Sequence, residues 1–449
     1  MKKINFFKLV SLLVVVVFVS ACKDNYPESH KVTTLIALDK QNVTLHAGES
    51  TNISAKVNFQ EDGKNVVTTI EKKINWATSD TLVAKIDANG VVTAVAGGTA
   101  IITAECQGTE ETCAVLVKDI FVAGMLIDSL VTIDTFAVIW QKCDTGAFIK
   151  YKVPDAEFAA MVVNEQGIYY AGTEGNVAKV WKDGAEQYEL GEKTKITSMC
   201  IDGGNIYVVG YDFIDANKIV ARLWKNGEEE SLNLEKDITY AYDVAVNNGN
   251  VYVVGSSKRD DKNNHDAIVW TNGNAKKLII PAMTNSKNAE ARTICINNGS
   301  IYIGGGVDTD SKTPYIWENE KESPLVEKME GAFVKNLKFV NNELYVFYGT
   351  KLLMGNKEYS NDPESYSIPK PEEGEGLCDS EFSCGSVFMV GQMYQSYTTN
   401  TQGNGNAIAK LLKDGKPVGL IPSYLHPKQT KDNEYEKYPK SSAVAIGIR

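Results

Sequence analysis

From Ile120 onward the hydrophobic and polar positions follow a short-strand rhythm. Asp243-Val244-Ala245-Val246 alternates polar and apolar residues, as a half-buried strand does. Asn247-Asn248-Gly249-Asn250 follows, and Asn and Gly tolerate the positive φ that a tight hairpin turn needs. Val251 to Gly255 (VYVVG) is apolar at every position, which predicts a strand covered on both faces. A polar insert then leads to a third run, AIVW, closed by Asn272-Gly273. Lys276 to Ile280 (KKLII) reads as a fourth strand. Four short strands with tight turns predict one antiparallel sheet.

The unit repeats. Its second strand returns at Phe121, Tyr169, Tyr207, Tyr252, Tyr302, Tyr345 and Phe388, each an aromatic residue in a short apolar run ending in Gly. Its third strand returns at Trp140, Trp181, Trp224, Trp270 and Trp317, with Met354 and Leu412 in the last two places. The spacing is roughly 40 to 50 residues, the period of propeller blades. The first unit lacks an opening strand, and Ser441 to Arg449 (SSAVAIGIR) has the pattern of the missing one. The reading is a seven-bladed β-propeller over 119–449, closed by the C-terminal strand, which removes the open edge. The five tryptophans are expected between adjacent blades.

Connection lengths divide the propeller into two faces. Turns after strands one and three are short. Connections after strands two and four are long: Tyr211 to Asp215, Ser256 to Asp266, Gly306 to Pro314, Gln392 to Asn406, Met283 to Arg292, Pro369 to Gly376 and Ser423 to Pro439. Elaboration on one face of a rigid scaffold is where binding usually sits. Tyr211, Phe213, Tyr394, Tyr397 and Tyr424 are candidates to stack on sugar rings or peptide side chains. Asp212, Arg259, Asp260 and His265 are candidates for a polar or ionic site. Asp308 and Asp310 resemble half of a calcium loop without its Gly and distal Glu, so no metal is assigned.

The N-terminus changes the address. Lys2, Lys3 and Lys8 precede the apolar run Leu9 to Val19, as in a secretory signal peptide, here 1–21. Val19-Ser20-Ala21-Cys22 resembles a bacterial lipobox, which implies that Cys22 is diacylated and anchors the chain to a membrane rather than spanning it. Lys23-Asp24 resembles a short surface-export tag. The expected place is the outer membrane, facing the exterior, with the periplasmic face as the alternative. Residues 22–32 are lipidated Cys and linker.

Between linker and propeller, 33–118 has strand patterning with turn residues about every 8–12 positions, a β-sandwich signature. Ile74 to Glu105 (INWATSDTLVAKIDANGVVTAVAGGTAIITAE) closely resembles the bacterial Ig-like domain of group 2, with Trp76, Asp80, Val83, Gly90, Gly97, Gly98 and Thr99 in the family's places. The resemblance implies a seven-stranded sandwich used as stalk or adhesion module. At the last hairpin, pairing Cys106 with Cys113 also sets Ala104 against Val115 and Ile102 against Val117, all facing one side. A cross-strand disulfide suits an extracytoplasmic protein; two buried thiols are the alternative. Cys378 and Cys384 are a second candidate pair, and Cys143 is then left single.

The net charge of −11 argues against nucleic acid as partner. The chain has no H-E-x-x-H, G-x-S-x-G, P-loop, dinucleotide fingerprint or C-x-x-C. Nor does it carry repeated Asp boxes or WD signatures; Gly304-Gly305 with Tyr315 and Trp317 is only loosely similar to a kelch repeat. No cofactor is implied. The reading is a cell-envelope lipoprotein that binds a glycan or surface protein through the long-loop face. A polysaccharide hydrolase or lyase and a non-catalytic envelope scaffold are the alternatives.

Overall fold

The computed structural model describes residues 32–61, 63–66, 73–128, 134–143, 146–259, 264–279, 288–308, 312–322, 332–340, 342–348, 351–354, 357–359, 376–383, 386–395, 406–413, 416–417 and 440–448. All regular structure among them is β. Cys22, Asp260, Asp310, Tyr397 and Tyr424 lie outside the described residues, as does the leader.

The N-terminal strands stack into a sandwich. One layer has the order Asn42–His46, Thr109–Lys118, Gly98–Cys106, Asn75–Thr78. Val32–Leu38, Ala55–Glu61 and Lys64–Val66 form a second sheet; Ser50–Asn52, Val91–Ala94 and Ala84–Ile86 form a third. Asn42–His46 runs parallel to Thr109–Lys118, so the chain changes layer just after Leu38. The resemblance implies seven strands; ten short strands are present among the described residues, three of them only three residues long. Ile53, Val92, Ile102 and Val115 fill the core with Trp76 packed against them. Gly90 has φ +83 and lies under the Trp76 ring, so a side chain there would collide with both the ring and the Ile53 carbonyl.

The cysteine pairing is corrected by the register. Gln107 and Gly108, with φ 52 and 77, form a two-residue turn. Cys106 therefore sits opposite Thr109, and Cys113 opposite Ile102. Four residues of strand, about 13 Å, separate the two thiols along the ladder, beyond disulfide reach. The facing was read correctly: Ile102, Ala104, Cys106, Cys113, Val115 and Val117 are all buried. The register differs because the polar Thr109-Glu110-Glu111-Thr112 is strand rather than loop.

The joint to the next unit is tight. Asp119 is 8% exposed and accepts the Gly97 N–H at 2.8 Å. Lys142 Nζ donates to the Ala47 carbonyl at 2.6 Å, tying the sandwich to the second strand that follows it.

From Ile120 the described strands form seven four-stranded antiparallel sheets in chain order. In sheet one, Ile120–Asp128, Asp134–Cys143 and Gly146–Pro154 are joined by Lys440–Ile448 at the Ile120–Asp128 edge. Sheets two to seven open with Ala156–Asn164, Thr194–Asp202, Thr239–Asn247, Asn288–Asn297, Val334–Val340 and Gly376–Ser383. Sheets four and five are linked by one parallel bridge, His265 to Asn288. The opening strands of successive sheets lie side by side, and Lys440–Ile448 touches both Ala156–Asn164 and Gly376–Ser383. This is a propeller-like arrangement.

The turns follow the sequence. Asp183-Gly184, Asn226-Gly227, Asn248-Gly249, Asn272-Gly273 and Asn298-Gly299 each have positive φ at both residues, the hairpin geometry that matches strand twist. Each tryptophan packs with its own sheet and the one before it: Trp181 beside Phe121 and Ile139, Trp224 beside Ala171 and Val180, Trp270 beside Val209 and Leu223, Trp317 beside Val254 and Val269. Trp140 packs against Val390 of sheet seven. Several boundaries differ from the sequence reading. Tyr211 to Asp215 continues a strand, Asn205–Asp215, and Arg292 lies inside Asn288–Asn297 rather than in a loop. Sheet four's last strand is Asn274–Lys277; Leu278 is buried and Ile279 is 68% exposed, so the apolar run KKLII is only partly strand.

Candidate functional site

The opening strand of each sheet carries a β-bulge at the same depth. The ladder slips between Phe158 and Ala160, Ile196 and Ser198, Ala241 and Asp243, Ala291 and Thr293, Val334 and Asn336, and Leu377 and Asp379. Lys440–Ile448 slips between Ala443 and Ala445. The residue left unpaired is Ala159, Thr197, Tyr242, Arg292, Lys335, Cys378 and Val444 in turn. A bulge bends its strand and re-aims one side chain. It also pushes a carbonyl onto the neighbouring strand: a side chain at Gly172, Gly210, Gly255 or Gly305 would overlap the carbonyl of Glu157, Lys195, Tyr240 or Glu290. The recurring Gly and the bulge are thus two halves of one device.

The opening strands enclose a cavity of about 560 Å³, whose wall includes the described bulge residues Ala159, Thr197, Tyr242, Arg292 and Lys335. Asp243 lies in that wall, partly facing the cavity, with its carboxylate packed among donors. Ser198 Oγ donates to Oδ1 at 2.6 Å, Val244 N to Oδ1 at 2.8 Å and Ile294 N to Oδ2 at 2.9 Å. Burial pushes this carboxyl above its ordinary range, and the donors pull it back in part. Thr197 donates to the Ala241 carbonyl at 2.9 Å, a further tie from sheet three to sheet four. Cys295 is also in the wall, and burial pushes its thiol up to about 12.

An aromatic cluster continues from this wall toward the long-connection face. Tyr242 stacks on Tyr240, centroids 5.9 Å apart and rings 8° from parallel. Tyr240 meets Tyr211 edge-on at 4.9 Å and His265 at 5.8 Å; Tyr211 meets Phe213 at 5.4 Å. Phe213 is 45% exposed. Burial lowers the His265 pKa, opposed by the nearby Glu290 charge. Arg292 pairs with Glu290 at 2.7 Å and lies over the Phe333 ring at 4.6 Å.

Of the residues singled out in the sequence, Tyr211, Phe213 and His265 come together here. Asp212 and Arg259 are held in ion pairs instead: Arg222 to Asp212 at 2.7 Å, Arg259 to Asp266 at 2.6 Å. Thr194 Oγ1 also donates to Asp212 at 2.6 Å. Asp308 ends its strand opposite Lys312 on one side and Asn288 on the other, and Asn288 in turn bridges to His265. Tyr394 lies near the end of Ser386–Gln395. Sequence reasoning missed Tyr240, Tyr242, Glu290, Arg292 and Lys335. A signal existed: opening strands begin about four residues before their apolar core, as in Thr239-Tyr240-Ala241-Tyr242 ahead of Asp243. No cluster of three or more His, Cys, Asp or Glu suited to a metal is present among the described residues, and no helix there is long and apolar enough to cross a membrane.

Comparison with known proteins places the family model "Bacterial Ig-like domain (group 2)" on residues 32–115. No curated protein sequence matches the chain. Solved structures resemble it in part. The β-propeller domain of the Trilobed protease from Pyrococcus furiosus aligns at 14% identity and TM-score 0.36, over 73% of this chain and 99% of that one. AztD from Citrobacter koseri aligns at 10% identity and TM-score 0.34, over 79% and 95%. A chain of a nidogen/laminin complex aligns at 10% identity and TM-score 0.33, over 54% and 92%.

Proposed function

We propose that this chain is a bacterial cell-envelope lipoprotein that binds a glycan or surface protein through the long-connection face of a closed seven-bladed propeller. The observation that carries the reading is the aromatic cluster, Phe213 to Tyr242, which leads from an exposed ring to the wall of the cavity. Apolar rings beside a few polar groups in a concave site are what ligand recognition uses. Binding is favoured over catalysis because Asp243, the carboxylate among the described wall residues, already accepts three hydrogen bonds. Cys22 is the lipid attachment point, the outer membrane the location, and the group 2 Ig-like unit a stalk whose tight joint presents the propeller in one orientation.

A glycan array and a pull-down with the chain test the reading. Binding is expected to fall with Tyr211→Ala and Phe213→Ala, and when the long connections are cut to two-residue turns. Binding unchanged by all three would refute it. Cys22→Ser is expected to release the chain from the membrane fraction.

A further inference from the structure

The cavity wall holds more cations than carboxylates in an acidic protein. The chain carries a net charge of −11. The described wall residues nonetheless include Arg292, Lys335 and Lys338 against the carboxylate of Asp243, with Glu290 paired to Arg292 beside the wall. The Asp243 carboxylate is satisfied by Ser198, Val244 and Ile294. Arg292 and Lys335 stand at successive bulges, so both belong to the set of residues with no partner across the ladder. Glu290 takes only Nε of Arg292, which leaves the terminal nitrogens of the guanidinium for an incoming acceptor. Lys335 is exposed. Tyr242 joins the same wall and stacks on Tyr240, so ring faces and cations are continuous.

A concave site with low-dielectric walls and an excess of one sign of charge concentrates ions of the other sign. A flat aromatic face beside it suits a ligand with its own ring. We propose that the cavity is a subsite for an anionic sugar residue, its carboxylate or sulfate on Arg292 and Lys335 and its ring against Tyr242. This rests on the reading of the long-connection face as a glycan-binding face and names the ligand class. An acidic peptide offers the charge without the ring, which is why the sugar is favoured.

The test is calorimetric titration of the full-length chain in detergent with four probes of equal length: a uronic acid oligomer, its neutral counterpart, a sulfated oligomer of the neutral sugar, and a polyglutamate peptide. The expected result is binding of one or both acidic oligomers, at least about tenfold tighter than the neutral one and weakening with added salt. The uronate and sulfate arms identify the anion. Lys335→Gln and Arg292→Gln should each weaken acidic binding about tenfold or more with the thermal transition unchanged. Lys335→Gln alters an exposed side chain and so reports on charge if Arg292→Gln disturbs the fold. Equal binding of neutral and acidic oligomers, unaffected by both variants, would overturn the anionic subsite and leave the glycan reading standing. Binding of polyglutamate alone would overturn the sugar class. No binding to any probe would overturn the subsite, and loss of array binding as well would remove the glycan reading.

Discussion

Ser198 and Asp243 belong to different sheets, and the Ser198 hydroxyl donates to the Asp243 carboxylate at 2.6 Å. The other carboxylate oxygen accepts from Ile294 on a third sheet. One side chain therefore ties three sheets beside the cavity. Ser198→Ala is expected to cost about 1–3 kcal/mol, since it removes a donor from a buried acceptor. Denaturant unfolding checks it.

Asp243 also sets a pH dependence. Burial raises its folded pKa above the ordinary aspartate range. Below the ordinary aspartate range the carboxyl is protonated in both folded and unfolded states. As pH rises, the unfolded chain ionises first, so stability drains away until the raised pKa is passed. Asp243→Asn cannot ionise. The stability gap between wild type and this variant should therefore be most favourable to wild type near pH 3.5 and shrink toward neutrality. A gap that widens with pH would contradict the assignment.

Two glycines of one hairpin should respond differently. Gly255 lies against the Tyr240 carbonyl, and a methyl group there has no room. Gly255→Ala is expected to cost about 3 kcal/mol, the upper range of overpacking, and to disturb the bulge. Gly249 has φ +77 and open space around it. Gly249→Ala should cost only about 1 kcal/mol, from backbone strain. Thermal melts of the pair separate the two causes.

Trp270 and Trp317 are both fully buried, and either changed to Ala should cost about 3–5 kcal/mol. Their Phe variants should diverge. Trp317 Nε1 donates to the Ile279 carbonyl at 3.0 Å, whereas Trp270 Nε1 is buried without a partner. Trp317→Phe loses a hydrogen bond; Trp270→Phe removes an unsatisfied donor and should be the milder change in a melting experiment.

Cys200 and Cys295 occupy matching strand positions, and burial pushes each thiol up to about 12. The thiolate is the reactive form, so both should resist alkylation at pH 8 even though Cys295 faces the cavity. Labelling should accelerate about tenfold per pH unit toward pH 10, read by mass spectrometry. Rapid labelling at pH 8 in the folded protein would contradict this.

The propeller-like sheets were legible because their punctuation is local. Asn272-Gly273 and its equivalents need positive φ, and few residues supply it. Trp181, Trp224, Trp270 and Trp317 mark the third strands because the gap between sheets takes a large ring. The cavity was not legible. A bulge adds one residue without spoiling the polar–apolar rhythm on either side, so nothing in Ala291-Arg292-Thr293 marks Arg292 as unpaired. Arg292 read as the end of a polar loop, and Tyr211 and Phe213 as loop residues, because strand ends here are as polar as connections. The Cys106–Cys113 register failed for the same reason: Thr109 to Thr112 is polar strand beyond a two-residue turn.

The bulges also separate two kinds of information in the chain. Positions in the ladder must satisfy their neighbours across the sheet, so a change there propagates. Ala159, Tyr242, Arg292 and Lys335 stand outside the ladder and have little in common as side chains, whereas the Thr197 hydroxyl at the same depth donates to the Val209 and Ala241 carbonyls. The scaffold thus presents one such socket per sheet at a common depth. A substitution at one socket is expected to leave the ladder that holds the others in register.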